Sequence, residues 1–135
     1  MTTCAAPTDV PQLSVAGAFL EALAGRDFHR LGSTLAPHCS LQALVPVGVK
    51  EWASRAEVAA AFAMWFGDAT DFALVEAVIG EIGVRLHLRW RARLRAERLG
   101  AGWFQVEQHA YADIDAHGQI EQLRVLCSGY CPEAG

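Results

Sequence analysis

The chain has 135 residues, 53% of them hydrophobic and 19% charged, with a formal net charge of −4. That length suits one domain with its own core, and the composition excludes a disordered chain. The acidic balance argues against general nucleic-acid binding, which needs a positive field, and no apolar run approaches the length of a membrane span.

The opening residues, from Met1 to Asp9, lack the positive charges that begin a secretory signal, so a cytoplasmic protein is expected. Cys4, Cys39, Cys127 and Cys131 contain no Cys-x-x-Cys pair and read as free thiols. Along a strand, Cys127 and Cys131 would stand roughly 13 Å apart, too far for a disulfide unless a turn after Gly129 folds the chain back.

A first helix is expected from Asp9, which can cap it, with Pro11 in its first turn and Gln12 as a capping-box partner. Leu13, Ala16, Phe19, Leu20 and Leu23 then recur at helical spacing, and Gly25 ends the run. Asp27 can cap a short second helix, with Phe28, Leu31 and Leu35 on its apolar side, stopped before Pro37. Residues 40–45 read as a brief strand leading into the Pro46-Val47-Gly48 loop. Ser54-Arg55-Ala56-Glu57 is a capping box, and Val58, Ala59, Phe62, Trp65 and Phe66 continue it as a third helix.

After Gly67 and Asp68 the pattern changes to strands at 72–82, 84–95, 103–115 and 120–127. Turns at 100–102 and at His117-Gly118 link the last three as a meander. Residues 84–95 alternate without a break. Val84, Leu86, Leu88, Trp90, Ala92 and Leu94 share one face; Arg85, His87, Arg89, Arg91, Arg93 and Arg95 share the other. One face belongs to an apolar interior and the other to water or a partner.

The fold class expected is α+β, with three N-terminal helices packed on a curved antiparallel sheet. The element order, the Pro46-Val47-Gly48 loop, the capped third helix and the 115–120 hairpin resemble the nuclear-transport-factor-2-like superfamily. More narrowly they resemble its SnoaL-like bacterial members. The resemblance covers about residues 13–130, within a single domain spanning 1–135 whose core runs from about 9 to 131.

The resemblance implies a cone whose cavity lies between helices and sheet. Its walls would take Phe19, Val45, Trp52, Phe62 and Trp65 or Phe66 from the helical side. The strands would add Leu86, Leu88, Trp90, Gln108, Ala110, Val125 and Cys127. The three positions that carry the steroid-isomerase chemistry of this superfamily fall at Val45, Phe19 and Ala110, none of which can move a proton. The polyketide-cyclase and epoxide-hydrolase branches use acidic or histidine side chains on later strands, where the inward set offers only Gln108 and Cys127. The implied function is binding of a small hydrophobic or aromatic molecule, with isomerase, cyclase or hydrolase chemistry open. The alternative is a non-catalytic dimeric interaction module whose core is filled by its own side chains.

Glu107 and His109 lie two apart and so share a face. On a regular strand they point outward, and Glu107 meets the arginine face as a cross-strand ion pair. A β-bulge would turn them inward as a base and its orienting carboxylate, the weak catalytic candidates of this chain. His38 and Cys39, after Pro37, are placed at the cavity mouth. No metal-ligand spacing emerges among the histidines, and no cofactor is expected. The outer face, with Arg85, Arg89, Arg91 and Tyr111, suits a homodimer, since arginine and tyrosine are enriched in interfaces; a solvated, salt-bridged face is the plain alternative.

Overall fold

A computed structural model describes residues 5–133, with side chains described from Leu13 onward. Helix α1 spans Ala5–Ala24, α2 Phe28–Ser33 and α3 Arg55–Phe66. Strands β1 (Leu35–Val45), β2 (Gly48–Trp52), β3 (Asp71–Ile82), β4 (Arg85–Arg95), β5 (Phe104–Ile114), β6 (Ile120–Cys127) and β7 (Cys131–Pro132) form one sheet. Its order is β2-β1-β6-β5-β4-β3, with β7 added beside β5.

The sheet is mixed rather than antiparallel, because β1 pairs with β6 in parallel. The chain leaves β1 through the β1–β2 hairpin, builds α3 and the meander, and returns at β6 alongside its own beginning. The third helix therefore follows two strands. Helix α1 packs on β3 and β4, while α3 packs on β1 and β2.

Helix α1 begins four residues before Asp9, and the capping roles of Asp9, Pro11 and Gln12 concern side chains outside those described. Its C-terminus also differs from expectation. Arg26, not Gly25, takes the left-handed conformation, with φ 51°. The amides of Arg26 and Asp27 donate to the carbonyls of Leu23 and Ala22 at 3.0 and 2.9 Å, the paired bonds of a Schellman end. The Arg26 guanidinium then reaches the carbonyls of Phe66 (3.2 Å) and Ala69 (2.8 Å), tying the end of α1 to the end of α3.

Asp27 caps α2 by accepting from the Arg30 amide at 3.0 Å, and Ser54 caps α3 by accepting from the Glu57 amide at 3.2 Å. The Glu57 carboxylate reaches back to the amide of Ala53, one residue before the cap. Leu35 opens β1 instead of closing α2, so β1 is 11 residues long and contains Pro37. The pairing of β1 with β6 shifts register between Leu35 and Ser40, and that irregularity is where a proline fits in a strand.

Strand β4 follows the expected alternation from Leu86 to Leu94, with the arginine side partly exposed. Val84 is the exception: it lies in the turn after Gly83, 83% exposed. Phe19, Phe62 and Trp90 meet at the centre of the core with ring centroids 5.5 to 6.3 Å apart. Burying each such side chain contributes roughly 1.5–3 kcal/mol.

Candidate functional site

The register from β4 to β5 is continuous over Leu86–Ala112 and Leu94–Phe104, with Trp90 opposite Gln108 and Arg91 opposite Glu107. Without a bulge, Gln108 faces the helices and is fully buried, and Glu107 and His109 face outward. The inward arrangement of Glu107 and His109 is thereby ruled out in this structure. Parity along a regular strand decides it.

The deep interior is packed. Phe19, Phe62, Leu86, Leu88, Trp90 and Ala110 are all fully buried in the core cluster, and Val125 is nearly so. The Gln108 amide is satisfied within this core: its Oε1 accepts from the Trp90 indole Nε1 at 2.7 Å, and its Nε2 donates to Cys127 Sγ at 3.3 Å. Trp52 and Trp65 are half-buried at the edge, packed edge-to-face at 5.7 Å.

What remains open is the mouth. A cavity of about 310 Å³ lies between the β1–β2 loop, the end of α3 and the segment that follows β6. Val45, Trp65, Phe66, Val106, Cys127 and Tyr130 supply most of its wall, with Pro46 and Val47 at the loop. Five of the residues named for the cavity wall (Val45, Trp65, Phe66, Gln108 and Cys127) meet here; the others fill the core or stand apart.

Tyr130 and its segment were not legible as part of a site. Gly129 takes φ 78°, and a Cβ there would stand 2.6 Å from Pro46 Cγ, so only glycine lets this segment cross the loop. Beyond it, β7 pairs with Phe104 and Gln105 at the end of β5. The Tyr130 hydroxyl donates to the Trp65 carbonyl at 2.6 Å and accepts from Arg98 at 3.0 Å. Burial raises the Tyr130 pKa, against the lowering pull of Arg98. Gly129 also donates its amide to Cys127 Sγ at 3.4 Å, so that sulfur receives two N–H groups.

Cys39 does not reach the mouth. It is fully buried on β1, where burial first and Glu121 second push its thiol up to about 12. His38 projects to the opposite side, 3.7 Å from Glu121. Cys39, Cys127 and Cys131 are free thiols.

On the outer face, every arginine of the β4 stripe has a carboxylate. Arg85 meets Asp113 at 2.8 Å, Arg89 meets Glu76 at 2.9 Å, Arg91 meets Glu107 at 3.4 Å, and Arg93 meets Glu133 at 2.7 Å. Arg95 pairs with Asp71 at 2.9 Å. All of these ion pairs form within one chain. Beside it, a shallow groove of about 640 Å³ runs over Leu44, Leu126, Glu107 and His109. No described helix is long and apolar enough to cross a membrane.

This arrangement of helices and strands recurs among solved structures. The LEH-like epoxide hydrolase of M. tuberculosis superposes with a TM-score of 0.64 at 18% identity, over 87% of this chain and 83% of that one. A SnoaL-like protein from Shewanella denitrificans OS-217 gives 0.67 at 11% identity, over 87% and 90%. An NTF2-like protein of unknown function from Cytophaga hutchinsonii gives 0.62 at 14% identity, over 87% and 89%. The chain has the SnoaL-like, NTF2-like fold. No protein-family model and no curated protein matches the sequence. Identities this low speak for the fold and leave the activity to the site itself.

Proposed function

We propose that this SnoaL-like chain binds a small, uncharged, apolar or aromatic molecule in the mouth cavity. The observation that carries the reading is the lining: aliphatic and aromatic walls, with the Cys127 thiol and the Gln108 amide as the polar groups at its inner end. A volume of about 310 Å³ is at the lower end of ligand pockets, so the molecule is small. Among the described residues no carboxylate or imidazole lines the cavity. Its titratable groups are the Cys127 thiol and the Tyr130 hydroxyl, the latter already bonded to the Trp65 carbonyl and Arg98, which favours recognition over general acid–base catalysis at this position. One of the structural neighbours is an epoxide hydrolase, so hydrolase-type chemistry stays within the range of the fold.

The reading is tested by thermal unfolding in the presence of indole, 1-naphthol and similar neutral aromatics. A molecule that binds only the folded chain raises its unfolding temperature with concentration. Absence of any shift across such compounds would leave a filled core and refute it.

A second reading is supported by a separate observation. Leu44 (49% exposed), Val49 (57%), Tyr111 (42%) and Leu126 (53%) stand near one another on the outer face of the sheet. Together with Arg85, Arg89 and Arg91 they make an amphipathic surface suited to a homodimer. Sedimentation velocity of wild type against Leu126→Glu tests this reading: a dimer that dissociates in the variant supports it, and a wild-type monomer at high concentration refutes it.

A further inference from the structure

The register of β4 with β5 pairs His87 with Tyr111 and Arg89 with His109, making the two histidines diagonal neighbours on the outer face. His87 Nε2 and His109 Nδ1 stand 3.4 Å apart. That is long for a hydrogen bond donated by N–H, for which about 2.9–3.0 Å is usual. It matches one edge of a metal tetrahedron: two nitrogens each about 2.0–2.1 Å from an ion lie about 3.3–3.4 Å apart.

The remaining nitrogen of His109 is held as a ligand histidine requires. Nε2 donates to Glu107 Oε2 at 2.8 Å, which fixes the tautomer and leaves the Nδ1 lone pair facing His87. The cations nearby are compensated, Arg89 by Glu76 at 2.9 Å and Arg91 by Glu76 and Glu107 at 3.4 Å each. Both histidines are carried by paired strands, so the nitrogens are brought together before any ion arrives.

We propose that His87 and His109 form a binding site for a late first-row divalent ion, with Glu107 as the carboxylate that orients His109. Imidazole donors suit both zinc and copper. The 3.4 Å edge fits a tetrahedral ion such as Zn²⁺, and Cu²⁺, whose tetragonal cis nitrogens stand about 2.8–2.9 Å apart, binds more tightly once the two side chains close that gap. No group of three or more His, Cys, Asp or Glu side chains among the described residues could hold a metal, so the described residues supply two ligands. Water or a second chain takes the other positions, and the ion exchanges readily. The two histidines face away from the buried Gln108 side of β5. His109 lines the groove that shares Val45, Pro46 and Cys127 with the mouth cavity, and none of the side chains named for the ion lines that cavity.

The test is titration of the purified chain with CuCl₂ in a non-coordinating buffer, followed by electron paramagnetic resonance. One Cu²⁺ per chain with nitrogen coupling from two imidazoles is expected. His87→Ala and His109→Ala should each remove one nitrogen and weaken binding at least about tenfold, and Glu107→Gln should weaken it roughly 10–100-fold. In wild type alone, a sub-stoichiometric amount of Cu²⁺ should broaden the ring NMR signals of His87 and His109 before those of His29, His38 and His117. Zn²⁺ should then displace the broadening only at higher concentration. Copper binding indifferent to both alanine variants, broadening that begins at other histidines, or no binding at millimolar Cu²⁺ would overturn the proposal.

Discussion

The indole nitrogen of Trp90 donates to Gln108 Oε1 at 2.7 Å, and both side chains are fully buried. The bond continues outward, since Gln108 Nε2 donates to Cys127 Sγ at the wall of the mouth cavity. A glutamine in an apolar core is thus accounted for: it satisfies the buried indole N–H of Trp90 and links the core to the cavity.

Gln108→Leu should therefore destabilise the fold by about 1–3 kcal/mol, because it strands a buried N–H. Trp90→Phe should destabilise it too, by removing the donor and leaving space. Chemical denaturation of the two single variants and the double variant checks this. The double should lose less than the sum of the singles, since neither partner is then left unpaired.

Arg26 occupies a left-handed position that glycine tolerates better, yet its guanidinium bonds two carbonyls at the end of α3. Arg26→Gly keeps the turn and loses the bonds, whereas Arg26→Ala loses the bonds and retains the backbone strain. The alanine variant should be the less stable of the two by about 1 kcal/mol, read from unfolding midpoints.

The thiols should separate by reactivity. Cys39, buried and pushed up to about 12, should resist iodoacetamide in the native protein and react only on unfolding. Exposed Cys131 should label first. Cys127 should follow more slowly, and a molecule seated in the mouth cavity should protect it. Mass spectrometry of peptides from timed reactions distinguishes the three.

Three carboxyls are held below the usual carboxylate range. Glu107 is lowered chiefly by its bond to His109 and then by Arg91, Asp115 by the amides of Gln119 and His117, and Glu133 by Arg93 and Gln105. A group with a lower pKa in the folded chain contributes stability above its unfolded pKa and loses it as pH falls through the folded value. The melting temperature should hold from neutral pH down to about 4.5 and then fall. Because these groups are near the surface, added salt should shrink the effect, and Glu107→Gln should flatten the acid limb.

How much of this was readable in the amino acids differs from element to element. Strand β4 announces itself because a period of two runs unbroken from Arg85 to Arg95. Strand β2 does not, since it is a short edge strand with Val49, Lys50 and Glu51 all exposed and no apolar stripe to detect. Pro37 suggested a stop and instead sits at an irregularity of β1, a tertiary accommodation that local propensity does not report. The inward face of β5 was readable, including Gln108, but whether that face encloses space was not. Filling depends on how Phe19, Phe62 and Trp90 interdigitate, and pattern alone carries no volumes. Tyr130 was missed because its place is set by Gly129 passing close to Pro46, a contact between segments more than 80 residues apart.

The most direct measurement uses the four tryptophans as reporters, followed by their indole N–H signals in a ¹H–¹⁵N spectrum during titration with a neutral aromatic such as 1-naphthol. Occupation of the mouth cavity should move Trp65 most and its neighbour Trp52 less, while Trp103 on the outer face stays fixed. Trp90 should keep its hydrogen-bonded shift throughout. Four indole signals that never move, or movement confined to Trp103, would contradict binding at the mouth.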